Sequence, residues 1–324
     1  MSVTFITNLD DFIAYWSWGP NGWLKTYGSL DFAGGSPVHI ASGAAALAYA
    51  MVIGKRKNQK LVPHSASNVI LGTTLLWFGW NGFNGGSAAA ANGRAAAAII
   101  ATNLAASAGS LTWMIVDYIK TGKFSAIGFC SGAVAGLVSI TPGSGFVSPG
   151  SSIIIGFLGA LACNFAAKLT KRFQFDDTLD VFAVHGVGGI VGNILTGFCT
   201  ERYWPSLDGT VILYTGVIEG DGRLLAWQIV DCLASFSWSF CVTGLIVLLL
   251  DRIPGLSLRL DASEEELGID ISEMGEVAFD YVHTFDEKKK KEKKDKEKKK
   301  ETSASTEPLN SGSKEEIEEK VITP

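Results

Sequence analysis

His39 and His185 each stand inside a long apolar stretch, SPVHIASGAAALAYAMVIG and VFAVHGVGGIVGNILTG. An ionisable group in hydrocarbon is costly, so such residues face a pore or a partner and mark function. Histidine adds the capacity to hold, relay or release a proton near neutral pH. Each also trails an aspartate: Asp31 precedes His39 by eight residues, and Asp180 precedes His185 by five. Two polar pairs of the same make, far apart in sequence, imply a two-fold-like site at the middle of a transporter or channel. For either histidine alone, the alternative is a core residue bonded to a backbone carbonyl. Asp31 and His39 are about two helical turns apart and share a face if the helix extends back that far. Asp180 lies where a helix N-cap is favoured, so structural support is its expected role, with direct substrate contact as the alternative.

A second constellation is LWFGWNGFNGGSAAAA. Phe83 and Ser87 are four apart and share a helix face, while Gly85 and Gly86 thin the backbone between them. A ring, a hydroxyl and thin backbone suit a small ligand with hydrogens to donate. The alternative is that Ser87 bonds back to its own helix and Phe83 belongs to the core.

Other chemistries find no support. HGVGGIVG at 185–192 lacks the third glycine of a dinucleotide loop, since position 191 is valine, and no strand precedes it. No P-loop couples the chain to ATP. No zinc-protease motif or serine triad marks it as an enzyme. The five cysteines, Cys130, Cys163, Cys199, Cys232 and Cys241, form no CxxC pair or metal spacing. They read as small buried thiols without a disulfide framework.

The elements that must position the histidines are membrane-spanning helices. Mean hydropathy is +0.25 and 47% of the 324 residues are hydrophobic. Soluble domains reach that fraction, so the distribution decides. Charge lies in short connectors and in the last 75 residues, and the rest forms seven apolar runs: roughly 36–54, 68–90, 95–119, 124–141, 150–168, 181–199 and 224–250. Each is near the ~20 residues that cross a bilayer. The 37 glycines concentrate in these runs, where small residues let helices approach closely.

Lys55, Arg56, Lys57, Lys60, Lys120, Lys123, Lys168, Lys171 and Arg172 fall on one set of connectors; Arg94, Arg202 and Arg223 fall on the other. Nine against three is a positive-inside signal. It puts the start of the first span outside and the C-terminal tail in the cytoplasm. The segment 1–35 reads as an extracellular, interfacial and incomplete start, with Trp16, Trp18 and Trp23 suited to the membrane–water boundary. Asp10 and Asp11 argue against a signal peptide. Residues 36–250 form the transmembrane domain and 251–324 the tail. The tail packs on the cytoplasmic face as far as about 284, then runs disordered through DEKKKKEKKDKEKKKE and a serine- and acid-rich end.

LDFAGGSPVHIASG (30–43), LLWFGWNGFNGGSAAAANGRAA (75–96), GAVAGLVSITPGSGFV (132–147) and DDTLDVFAVHGVGGIVGNILTG (176–197) resemble, in order, the signature stretches of the Amt/Mep/Rh ammonium transporter family. The likeness is to its fungal Mep branch in particular, and IPGLSLRLDASEEELGID with the later GEVAFDYV resembles the family's C-terminal region. It implies an all-α polytopic bundle with about seven of the family's roughly eleven spans, from just before the fifth. By resemblance, His39 and His185 correspond to paired histidines that line a hydrophobic pore. Asp31 corresponds to the aspartate near an outer recruitment site, which Trp18 (with Trp16 as the alternative) and Ser87 help to form. Phe83 corresponds to one ring of a phenylalanine gate.

The resemblance further implies ammonium or ammonia as substrate, a lipid bilayer setting in the plasma membrane, and no cofactor or nucleic-acid partner. It also implies a homotrimer or a hetero-oligomer with relatives. Three rivals stand beside transport: an ammonium receptor signalling through the tail, a fragment that assembles with full-length relatives, and an intramembrane bis-histidine haem protein.

Overall fold

The computed structural model describes residues 11–57, 65–256 and 258–276. The expectations for Lys60 and for the tail beyond 276 lie outside them. Among the described residues, seven long helices run in chain order: α1 (Gly35–Ile53), α2 (Ala66–Gly86), α3 (Gly93–Thr121), α4 (Ala126–Ile140), α5 (Pro149–Arg172), α6 (Phe182–Cys199) and α7 (Arg223–Asp251). Among the described residues there is no strand, only an isolated bridge between Val147 and Thr200. The fold is therefore all-α.

Local sequence starts four of these helices. The side chains of Ser65, Asn92, Ser125 and Ser148 accept from the backbone amides of Asn68, Ala95, Gly128 and Ser151. Each cap satisfies one donor that a helix start leaves open. Pro149 follows its cap at the first helical position, where its missing N–H is no loss.

The seven apolar runs correspond to seven helices, but five of these are long and apolar enough to cross a membrane: α1, α3, α5, α6 and α7. Helix α4 has only 15 residues. Helix α2 has 21 residues, yet Asn68, Thr73, Thr74, Asn81 and Asn84 dilute its apolar character.

Glycine sets the helix spacing. A Cβ on Gly109 of α3 would lie 2.4 Å from the Gly132 carbonyl oxygen of α4, and one on Gly156 of α5 would lie 2.2 Å from the Ala105 carbonyl oxygen. These backbones touch, so any side chain would force them apart. Around them Trp80, Trp113, Leu137, Val138 and Ala183 form one buried cluster. Phe32, Ile140, Phe146 and Ile155 anchor a second. Buried Arg94 lies against the Phe32 and Phe146 rings, at 4.7 and 4.6 Å, and reaches the Gly145 carbonyl and Asp208.

Residues 11–35 are more regular than their turn-rich sequence implies. Residues 11–18 are helical, and Phe12 and Trp16 pack against Trp238 of α7. A second unit begins at Asp261. Its first helix, Ala262–Leu267, opens with a reciprocal capping box between Asp261 and Glu264.

Candidate functional site

His39 and His185 meet. Their Nδ1 atoms are 3.1 Å apart, with ring centroids at 5.2 Å. Each sits in a π-helical opening turn, Gly35–Ile40 in α1 and Phe182–Gly186 in α6. Such wide turns favour functional sites because they re-aim a side chain relative to the helix that follows. The two helices close tightly behind the rings: a Cβ on Gly43 would lie 2.2 Å from the Gly186 nitrogen. His39 is buried and its Nε2 has no hydrogen-bond partner.

This contact fixes the tautomers. A neutral imidazole has one N–H and one bare nitrogen. At the Nδ1–Nδ1 contact one ring donates and the other accepts. The donor then presents a bare Nε2, and the acceptor presents an Nε2–H. Two identical residues thus offer opposite ends: one takes a proton or hydrogen bond, the other gives one.

Trp80 of α2 stacks on His39, with centroids 5.4 Å apart and planes 17° from parallel. Its indole N–H donates to Thr141 Oγ1 at 3.0 Å, which fixes the ring. Sequence reasoning passed over Trp80, although it lies three residues before Phe83 and shares its face. Phe83 stands 6.4 Å from His39 and meets Trp80 edge-on at 5.8 Å. Ser87 is exposed and donates to the Phe83 carbonyl at 2.8 Å. Its hydroxyl hydrogen is therefore engaged within its own helix, as one half of the alternative reading held, and only oxygen lone pairs face outward; the other half does not hold, since Phe83 is exposed rather than part of the core.

Asp31 does not share a helix face with His39, because residues 31–34 are not helical. Its carboxylate instead accepts the backbone amides of Gly34 and Gly35 at Oδ1 and of Ser36 at Oδ2, at 2.7–2.8 Å. It caps the helix that carries His39. Burial pushes the Asp31 carboxyl up from its ordinary value, against the pull of those backbone bonds. Trp18, partly exposed, donates its indole N–H to the Asp31 carbonyl at 2.8 Å. Trp16 packs against Trp23 and Trp238 instead, so Trp18 is the tryptophan beside Asp31.

Asp180 does not cap α6. Its backbone has a positive φ of 53°, and its carboxylate lies 3.4 Å from Lys171. The cap is Asp177, whose Oδ2 accepts from the Phe182 amide at 2.7 Å. An Asp-Asp-x-x-Asp stretch offers three carboxylates near one helix start, and the turn geometry selects among them.

Residues 1–279 match the model of the Ammonium Transporter Family. The chain belongs to that family. It is 52% identical over 281 residues to Ammonium transporter 1 of Schizosaccharomyces pombe, covering 86% of this chain and 56% of that one. Ammonium transporter MEP2 of Saccharomyces cerevisiae is 44% identical, with 83% and 56% covered. The crystal structure of Candida albicans Mep2 is similar with a TM-score of 0.74 and 50% identity, over 78% of this chain and 57% of that one. The chain thus has the partial helical bundle of a fungal Mep-like protein and spans little more than half the length of these relatives.

Proposed function

We propose that this chain serves ammonium transport across a membrane. In this reading the cation is held at the outer side, gives up its proton, and passes as ammonia along His39 and His185. The half-buried Nδ1–Nδ1 contact carries the reading. A bare ammonium ion is costly in an apolar passage, whereas ammonia is small, neutral and able both to donate and to accept hydrogen bonds. A ring pair with one accepting and one donating end matches it. Trp18 offers a π-face to the cation outside, Ser87 an oxygen acceptor, and Phe83 with Trp80 an aromatic wall before His39. Asp31 contributes by holding the entry to α1. The proposed setting is the plasma membrane with a cytoplasmic C-terminus, as a trimer of like chains or a mixed assembly with relatives. A haem between the histidines does not fit, because 3.1 Å leaves no room for iron and porphyrin.

The test is ammonium-triggered current in liposomes, with the chain alone and with a full-length relative. Current above empty liposomes, or a changed current through the relative, supports the reading. Verified insertion without either effect overturns it.

A receptor reading draws on a different observation. Arg259 donates to the Ile53 carbonyl at 3.2 Å and the Lys55 carbonyl at 2.5 Å. The segment after α7 is thereby fastened to the inner end of the helix that bears His39. Arg259→Ala that abolishes an ammonium response while sparing conduction supports this reading; loss of both together counts against it.

A further inference from the structure

Beyond the histidines, the α1–α6 interface contains one polar cluster that the transport reading leaves unused. Asn193 lies two turns beyond His185 on α6, and Ser36 lies one turn before His39 on α1. Asn193 Nδ2 donates to Ser36 Oγ at 2.8 Å, and both residues are fully buried. The helices run antiparallel, so this bond flanks the histidine contact on one side while the Gly43–Gly186 backbone contact flanks it on the other.

The bond is itself held from α7. Gln228 Nε2 donates to Asn193 Oδ1 at 3.1 Å and to the Leu30 carbonyl at 2.8 Å. Gln228 Oε1 accepts from the Leu30 amide at 2.9 Å. Asp231, three residues further along α7, is approached by the hydroxyls of Ser29 at 2.7 Å and Ser235 at 3.1 Å. The Ser29 hydroxyl also lies 2.7 Å from Gln228 Oε1, so Ser29 joins Gln228 to Asp231. A direction runs through the cluster: the Gln228 amide gives to Asn193, and the Asn193 amide gives to Ser36. A slip of α1 against α6 would orphan several buried donors in hydrocarbon, where no water replaces the partner. Apolar packing alone carries no such penalty for a slip and so does not fix register as sharply.

We propose that Asn193 is a positioning residue: through Ser36, and braced by Gln228 and Asp231, it sets the register of α1 against α6 and so the spacing of His39 and His185. The proposal rests on the histidine pair as the working site. The hydrogen bonds of Asn193 go to Ser36 and Gln228 and not to either ring, so it acts through the helix.

The test uses the full chain in lipid nanodiscs with 15N-labelled histidine. A scalar coupling between the two Nδ1 nuclei reports the N–H···N bond directly, and His39→Ala and His185→Ala assign it. Ser36→Thr and Ser36→Val have nearly the same shape and differ in the hydroxyl. Ser36→Thr is expected to keep the coupling, while Ser36→Val and Asn193→Leu lose it. Where conduction is measurable, the latter two reduce it at least roughly tenfold, as loss of productive geometry does. If Ser36→Val does not fold, Ser36→Ala removes the same hydroxyl with less crowding. A coupling that survives in Ser36→Val or Ser36→Ala and in Asn193→Leu overturns the proposal, as does its absence from the native chain. A native chain that shows the coupling yet conducts nothing fails the transport reading and leaves the positioning role standing.

Discussion

Gly43 and Gly186 touch backbone to backbone beside the histidine contact. A Cβ on Gly43 would lie 2.2 Å from the Gly186 nitrogen and 2.3 Å from its Cα, whereas a Cβ on Gly186 would first meet the Phe182 ring at 2.9 Å. The pair is therefore asymmetric. Backbone cannot step aside, and a ring can.

Gly43→Ala is expected to cost about 1–3 kcal/mol by overpacking and to part the two imidazoles. Gly186→Ala costs less, since Phe182 can rotate. Thermal unfolding of both variants in nanodiscs checks the order, and equal losses would contradict it.

His185→Ala should lower ammonium conduction while insertion and surface level stay normal. The ring meets His39 at one nitrogen and caps no helix end. Undiminished uptake at normal surface level would sink the pore assignment.

Trp80 combines packing with a hydrogen bond. Trp80→Ala is expected to cost about 3–5 kcal/mol. Trp80→Phe keeps a ring over His39 but leaves Thr141 Oγ1 without its donor, at about 1–2 kcal/mol. If Phe costs as much as Ala, the bond to Thr141 rather than the stack holds this part of the site. Melting of the purified variants distinguishes the two.

The Arg56 guanidinium beside Asp176, at 2.6 Å, holds its carboxyl below the ordinary value of 3.8. A depressed carboxyl pKa stabilises the fold above the ordinary value, and that contribution is lost as pH falls through the folded-state pKa. The difference in Tm between the native chain and Asp176→Asn should hold steady from neutral pH to about pH 5, then shrink below about pH 4. A difference that instead grows on acidification would mean that Asp176 is not stabilised by Arg56.

The helices were legible because their causes are local. Ser65, Asn92, Ser125 and Ser148 stand at starts that apolar runs then extend. His39 and His185 were legible because a titratable ring in an apolar run has few explanations. Their widened first turns were not, since no residue type demands a π turn. A shared face for Asp31 and His39 depended on the helix extending back, and residues 31–34 are not helical. Trp80 was overlooked because a tryptophan in an apolar run reads as core, and its partner Thr141 is 61 residues away. The bonds that tie Ser29, Ser36, Asn193, Gln228 and Asp231 together join residues up to 202 positions apart, and nothing local marks one buried amide as the partner of another.

The 3.1 Å contact between like nitrogens has one more consequence. A pair built from two identical rings still has a polarity. Suppose a proton lands on the bare Nε2 of the donor ring. The shared hydrogen then crosses to the second ring, which releases its own Nε2 hydrogen. Afterwards the polarity is reversed: the first ring has become the acceptor and the second the donor. A second proton travelling the same way meets an N–H where the first met a lone pair. The pair therefore keeps a record of the last proton to cross it, and another cannot follow until that record is erased.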